Sequence, residues 1–82
     1  MSFEEEAPFR DDCFFRFIER LPPNVYRVKG FALLPAKRLF LNYVRGMIDW
    51  TELDRDGATK LTFIGWDLDV EEMLAQLKAC LE

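Results

Sequence analysis

The ten residues V-Y-R-V-K-G-F-A-L-L, from Val25 to Leu34, decide how this chain folds. Successive residues of a β-strand point to opposite faces of its sheet. One parity of this stretch is apolar or small throughout: Tyr26, Val28, Gly30, Ala32 and Leu34. The other parity sets two cations, Arg27 and Lys29, among the hydrophobic residues Val25, Phe31 and Leu33. The stretch therefore predicts a central strand with one dry side and one side that meets water or a partner.

Two amphipathic helices are predicted on either side of the strand region. The first is capped by Asp11 or Asp12 and ends at Pro22-Pro23, with an apolar stripe at helical spacing made of Phe14, Phe17, Ile18 and Leu21. The second starts at Asp69 and Glu72, which have capping-box spacing, and its stripe comprises Val70, Met73, Leu74, Leu77 and Leu81. Both helices need an apolar surface on which to bury these stripes.

Three further extended segments complete the pattern. A short strand ends at Pro8, a long one runs from Arg38 to Met47 with Gly46 marking a bulge or a bend, and a third covers Thr59 to Gly65. Extended structure resumes through Ile48, Trp50 and Leu53, and residues 54–57 have turn chemistry. The order β-α-β-β-β-α predicts an α+β two-layer sandwich in which both helices cover one face of a mostly antiparallel four-stranded sheet. Residues 1–82 are expected to form a single domain.

Composition narrows the classes of function. The 82 residues have room for one core, and the net charge of −4, with 15 acids and 11 bases, argues against nucleic-acid binding. No apolar run approaches the roughly 20 residues needed to span a bilayer, and the N-terminus has acids where a signal peptide carries positive charge. We therefore expect no membrane association and a cytoplasmic location. Cys13 and Cys80 have no C-x-x-C spacing and are expected to be free and buried.

The inventory of reactive residues argues against catalysis by this chain. Histidine is absent and the only serine is Ser2, so no Ser-His or Cys-His nucleophile pair exists. No glycine-rich phosphate loop is present. The paired carboxylates, Asp54 with Asp56 and Asp67 with Asp69, lie where turns and helix caps favour aspartate. The sequence predicts no catalytic residue, no metal site and no cofactor in this domain.

The candidate partner-binding residues belong to the alternate positions of the central strand that are predicted to face water or a partner. Arg27, Lys29 and Phe31 combine cations with an aromatic ring, and the neighbouring strands are expected to add Arg45 and Trp50, together with Tyr43. Such a combination on an uncovered sheet face is typical of a surface that docks a partner or an anionic ligand. The alternative is that the stems of Arg27 and Lys29 only shield apolar sheet surface.

Several of these residues also belong to a familiar arrangement. Arg27-Val28-Lys29-Gly30-Phe31, then Trp50, then Phe63-Ile64-Gly65 followed by Leu68-Asp69 and a leucine-rich helix ending near Cys80, resemble the C-terminal domain of CobW-type proteins over residues 2 to 82. The matching positions are Arg27, Lys29, Gly30, Phe31, Trp50, Phe63, Ile64 and Gly65, with both glycines expected to serve strand packing. One departure is Ala7-Pro8-Phe9-Arg10, where the family often has Arg-Pro-Phe-His.

The resemblance implies a role beside a GTPase. CobW-type proteins are P-loop GTPases related to the UreG and HypB metal-insertion proteins, and they are linked to cobalamin biosynthesis, nitrile hydratase activation and zinc homeostasis. Their N-terminal domain holds the Walker motifs and a C-x-C-C metal site, so GTP and a divalent metal are implied for a parent protein and not for this domain. The implied function is a non-catalytic accessory or regulatory domain of a GTP-dependent metallochaperone, whose partner is the GTPase domain or a metalloprotein client. The alternative is a stand-alone small-molecule-sensing or dimerisation module.

Overall fold

Five strands form one antiparallel sheet, with two helices beside it. The computed structural model describes residues 1–54 and 56–82. The elements are β1 (Ser2–Glu5), α1 (Asp11–Glu19), β2 (Val25–Leu33), β3 (Arg38–Val44), β4 (Met47–Leu53), β5 (Thr59–Gly65) and α2 (Val70–Ala79). The spatial order β1-β5-β2-β3-β4 places β2 in the centre. The predicted α+β class is confirmed, and the predicted four strands become five.

The additional strand arises from a tight turn at Arg45 and Gly46. These two residues join β3 to β4, whose pairing runs from Val44 opposite Met47 to Arg38 opposite Leu53. Both turn residues have positive φ, 49° at Arg45 and 85° at Gly46, as a two-residue type I′ hairpin requires. Gly46 is therefore a turn residue: the chain bends there, as one of the two predicted alternatives had it, and the other alternative, a bulge within one long strand, was wrong. The turn predicted at residues 54–57 includes Arg55, which lies outside the described residues.

A bulge near the start of β2 reverses the predicted parity there. The register with β5 shifts between Val25 and Arg27. As a result Val25 is buried, whereas Tyr26, predicted on the dry side, is 38% exposed. Beyond the bulge, Val28 and Ala32 are buried as predicted. One extra residue in a strand is enough to exchange the two faces.

Both helices cover the same face of the sheet, as predicted. One cluster of buried residues contains Phe14 and Phe17 of α1, Leu77 of α2 and the inward side chains of the strands. The ring centroids of Phe17 and Phe63 lie 6.1 Å apart. The Asp69 side chain accepts a hydrogen bond from the Glu72 N–H at 3.1 Å, which confirms the predicted cap of α2. The cap predicted for α1 was wrong, because its N-cap is Arg10 without a side-chain hydrogen bond.

A disulfide between Cys13 and Cys80 links the two helices. The expectation of free cysteines was therefore wrong. The two residues are 67 positions apart in sequence, yet their Cα atoms are separated by 5.3 Å because the first turn of α1 meets the end of α2. The Arg10 N–H donates to the Cys80 carbonyl at 2.7 Å in the same place. Neither described helix has the length and apolar character that crossing a bilayer would require.

Candidate interaction surface

The sheet face opposite the helices is not covered by any described element. We call it the open face, and register places the following side chains on it: Ser2, Glu4, Arg27, Lys29, Phe31, Leu33, Arg38, Phe40, Asn42, Val44, Met47, Asp49, Thr51, Leu53, Lys60, Thr62 and Ile64. Some large apolar side chains here remain in water, with Met47 79% and Ile64 52% exposed. Exposed apolar area that is rimmed by polar residues is typical of interaction sites.

The charges of the open face are separated by sign. Its cations lie on the three central strands, and they are Arg27, Lys29, Arg38 and Lys60. Its acids, Glu4 and Asp49, lie on the two outer strands. Lys60 and Glu4 approach to 3.9 Å, a separation typical of a weak, exposed ion pair. The centre of the face is therefore positive and suits a partner that presents acidic and apolar groups.

Arg38 organises the aromatic part of this face. Its guanidinium lies 4.1 Å from the centroid of the Phe31 ring, within cation–π distance. Its Nε and Nη2 also donate to the Ala58 carbonyl at 3.1 and 2.7 Å. The Phe31 and Phe40 rings lie 5.3 Å apart at 57°. The Arg38 guanidinium and the Phe31 and Phe40 rings are held in place by these contacts, so this part of the surface is ordered before a partner binds.

Two polar atoms of the open face have no hydrogen-bond partner among the described residues. They are Nε of Arg27 and Oδ1 of Asn42, and both atoms are shielded from solvent. Register places these residues on the neighbouring strands β2 and β3. An unsatisfied buried polar atom costs about 1–3 kcal/mol. Because neighbouring protein atoms shield both of them from solvent, a partner on the open face does not reach them, and they bear on the stability of the domain alone.

The structure brings together three of the five predicted partner-binding residues. Arg27, Lys29 and Phe31 share the open face. Arg45 lies instead in the β3–β4 turn, with its guanidinium 4.8 Å from the centroid of the Tyr26 ring. Trp50 lies on the helix side, where its ring meets Phe15 of α1 edge-on at 5.3 Å. The placement of Arg45 and Trp50 on the open face was therefore wrong, and the binding role of all five stays a prediction.

Other members of the open face were missed because they depend on the hairpin. Phe40 and Asn42 of β3 join the face only once the pairing of β2 with β3 is known. Met47 and Asp49 join it because the chain reverses at Arg45-Gly46. The sequence signal for this hairpin is weak, because Arg45 precedes Gly46 where a two-residue turn usually has asparagine, aspartate or glycine.

The described residues do not provide a metal centre. Within residues 1–54 and 56–82, no group of three or more histidine, cysteine, aspartate or glutamate side chains could hold a metal ion. Cys13 and Cys80 are engaged in their disulfide.

The hydrogen bond from Lys37 Nζ to Glu52 Oε1, 2.6 Å long, raises the pKa of Lys37 above 10.5. This exposed pair joins the β2–β3 loop to β4, as expected of a structural contact.

Comparison with known proteins identifies the family. The sequence model of one protein family, the cobalamin synthesis protein cobW C-terminal domain, matches residues 1–81. The fold is similar to that of the Zn(II)-bound YjiA GTPase from E. coli, with a TM-score of 0.87 and 20% identity, covering 100% of this chain and 29% of that chain. A Zn(II)-bound triple mutant of YjiA GTPase gives a TM-score of 0.88 and 21% identity, with the same coverage. No curated protein matches significantly in sequence. At this identity the likeness to YjiA concerns the fold alone, whereas the family match shows that the chain belongs to the cobW C-terminal domain family.

Proposed function

We propose that this domain is a non-catalytic accessory domain of a CobW-type, GTP-dependent metallochaperone in the cytoplasm. In this proposal it docks through its open face onto the GTPase domain of the same protein. The family match supports the context, and most of the related YjiA chain lies outside the matched part, which leaves a large domain available as the partner. GTP and the divalent metal are then bound by the partner. The domain makes contacts with the GTPase domain and regulates it, with no chemistry of its own.

The observation that carries this proposal is the open face with its positive centre. A sheet covered by helices on both sides would bury Arg27 and Lys29, whereas here Lys29 is exposed and Arg27 half-buried. The alternative, in which the stems of Arg27 and Lys29 only shield apolar sheet surface, predicts no loss of binding when their charges are reversed.

The test is a binding titration between this domain and a CobW-type GTPase domain from the same organism. The double variant Arg27→Glu/Lys29→Glu should bind at least about tenfold more weakly, because it reverses the charge at the centre of the face. The matched control Arg16→Glu/Arg20→Glu makes the same change of charge on the helix layer and should bind like wild type. Equal affinity of wild type and the Arg27/Lys29 variant would remove the open face from the proposal.

Two other outcomes would redirect the proposal. Binding to a metalloprotein client, with none to the GTPase domain, would assign the open face to the client. A stable dimer in light scattering that changes with an anionic metabolite would favour a sensing or dimerisation module. Self-pairing of two open faces would set the central cations of one copy close to those of the other, which is unfavourable.

A further inference from the structure

A cleft of about 500 Å³ lies at the end of the sheet, on the helix side and apart from the open face. Its floor includes Val25 and Tyr43, which are buried members of the core. Its rim includes Tyr26, Arg45 and Trp66, which reach into solvent. Trp66 is 59% exposed. Tryptophan, tyrosine and arginine are the residues most enriched where binding energy concentrates in protein interfaces.

Trp66 is exposed, yet its backbone is firmly held by Asn24. The Trp66 N–H donates to the Asn24 carbonyl at 3.1 Å. The Asn24 side-chain amide donates to the carbonyl oxygens of Trp66 and Asp67 at 2.8 and 3.0 Å. A Cβ at Gly65 would overlap the Asn24 carbonyl, so the two segments touch directly. A large aromatic side chain on such a fixed backbone loses little freedom when it binds.

The cation of the cleft is positioned in a similar way. The Arg45 N–H donates to the Tyr26 carbonyl at 3.0 Å, and its guanidinium lies 4.8 Å from the centroid of the Tyr26 ring. Arg45 makes no ion pair with any described residue. Its φ of 49° belongs to a turn position that asparagine or glycine would occupy with less strain. The non-glycine residues of positive φ in the described chain are Arg45, which lines the cleft, and Asp67, which follows Trp66 in sequence.

The chemistry of the cleft matches one carboxylate beside an apolar or aromatic group. A single guanidinium pairs well with one carboxylate, whereas a polyphosphate needs several cations or backbone N–H groups. The rings of Tyr26 and Trp66 and the apolar floor suit an adjacent hydrophobic side chain. Small-molecule pockets bury most of their ligand. Here the rim is open, so a bound group would be covered from one side, which favours a segment of a protein that shields the other side itself.

We propose that this cleft binds a segment of a partner protein in which one aspartate or glutamate lies beside an aromatic or large apolar residue. The carboxylate pairs with Arg45, and the neighbouring side chain packs against Trp66 and Tyr26. This site is separate from the open face, so either proposal can fail without the other.

The test uses the peptide acetyl-Gly-Glu-Phe-Gly-amide as the probe and the two tryptophan indole N–H resonances of the 15N-labelled protein as the readout. We expect the Trp66 resonance to shift saturably and the Trp50 resonance to remain in place, since Trp50 lies against α1. The peptide with lysine in place of glutamate should bind at least about fivefold more weakly, because Arg45 then repels it. Equal shifts of both tryptophans, or no saturable shift at millimolar peptide, would overturn the proposal.

Two substitutions assign the binding residues. Arg45→Asn should weaken binding of the peptide about tenfold, the factor that corresponds to one lost charged contact of about 1.4 kcal/mol. Asparagine also tolerates the left-handed backbone of this turn position, so the turn should be preserved. Arg16→Asn makes the same chemical change at an exposed position of α1, away from both the cleft and the open face, and should leave peptide binding at the wild-type level. Trp66→Ala removes a largely exposed side chain and should weaken binding similarly, as followed by the backbone N–H resonances of Tyr26 and Arg45, with the Trp50 indole reporting that the fold is intact. An Arg45→Asn variant that binds as tightly as Arg16→Asn would contradict the assignment.

Discussion

Gly30 of β2 and Lys60 of β5 lie so close that a Cβ on the glycine would overlap the carbonyl oxygen of the lysine. The backbone of Gly30 also has a φ of 141°, which side chains other than glycine rarely adopt. The sequence-based expectation that this glycine serves strand packing is confirmed. The centre of the sheet therefore depends on the absence of a single methyl group.

Gly30→Ala should lower the free energy of unfolding by about 3 kcal/mol or more, because strain and steric overlap act together. Urea denaturation followed by circular dichroism measures the effect. Gly46→Ala is the control, since a Cβ there meets nothing within 4 Å and only the φ of 85° is unfavourable. The free energy of unfolding of that variant should fall by about 1 kcal/mol. Similar losses in the two variants would show that overlap with Lys60 is not the dominant cost.

Asn42→Val should stabilise the isolated domain by about 1 kcal/mol. The substitution removes the unsatisfied Oδ1 and places a β-branched residue in a strand. Thermal or urea unfolding measures this change. Asn24→Val is the matched control and should lose about 1–2 kcal/mol, because the Asn24 amide donates two hydrogen bonds. If Asn42→Val is destabilising, Oδ1 has a partner such as water in solution.

Breaking the Cys13–Cys80 disulfide should lower the free energy of unfolding by up to about 4 kcal/mol, because the bond closes a loop of 67 positions in the unfolded chain. Urea midpoints measured with and without dithiothreitol test this expectation. The Cys13→Ser/Cys80→Ser variant should match the reduced protein and should not respond to the reductant. The same midpoint in all samples would contradict a stabilising role. In the proposed cytoplasmic location thiols are largely kept reduced, so the lower stability would apply there.

Trp50→Ala should reduce stability by about 2 kcal/mol and leave docking to the GTPase domain unchanged, because the ring packs edge-on against Phe15 of α1. Met47→Ala should behave in the opposite way. Met47 belongs to the same strand but is 79% exposed on the open face, so its loss should matter little for folding and should weaken docking. Unfolding curves and binding titrations of the two variants form a crossed test. A Trp50→Ala variant that keeps its stability but loses docking would return Trp50 to the partner-binding set.

Much of this fold could be predicted because it depends on local periodicity. The alternation from Val28 to Ala32 and the apolar stripe through Phe14 and Phe17 each need only neighbouring residues, and both are observed. The features that were missed depend on pairing between distant segments. The bulge at Val25 exchanges the faces of Val25 and Tyr26 and is visible only in the register with β5. The proximity of Cys13 and Cys80 likewise follows from where the helix ends meet in space.

The same distinction applies to the candidate site. Arg27, Lys29 and Phe31 lie on one strand, so their common face followed from spacing alone. Arg45 and Trp50 were assigned to that face on the assumption of one long strand, and the turn at Arg45-Gly46 places them elsewhere. The cleft around Trp66 joins chain segments that no sequence period relates, so it became visible only in three dimensions.

The link between Cys13 and Cys80 makes one covalent ring of almost the whole chain. A protease that cuts once inside this ring adds a water molecule and releases no fragment. Nicked and intact chains would therefore run as a single band on a gel without thiol. The nicked chain would separate into two pieces only after reduction. Digestion maps of the oxidised protein would overlook such cuts, and a clipped preparation would pass as intact by mass to within 18 Da, the approximate mass of one water.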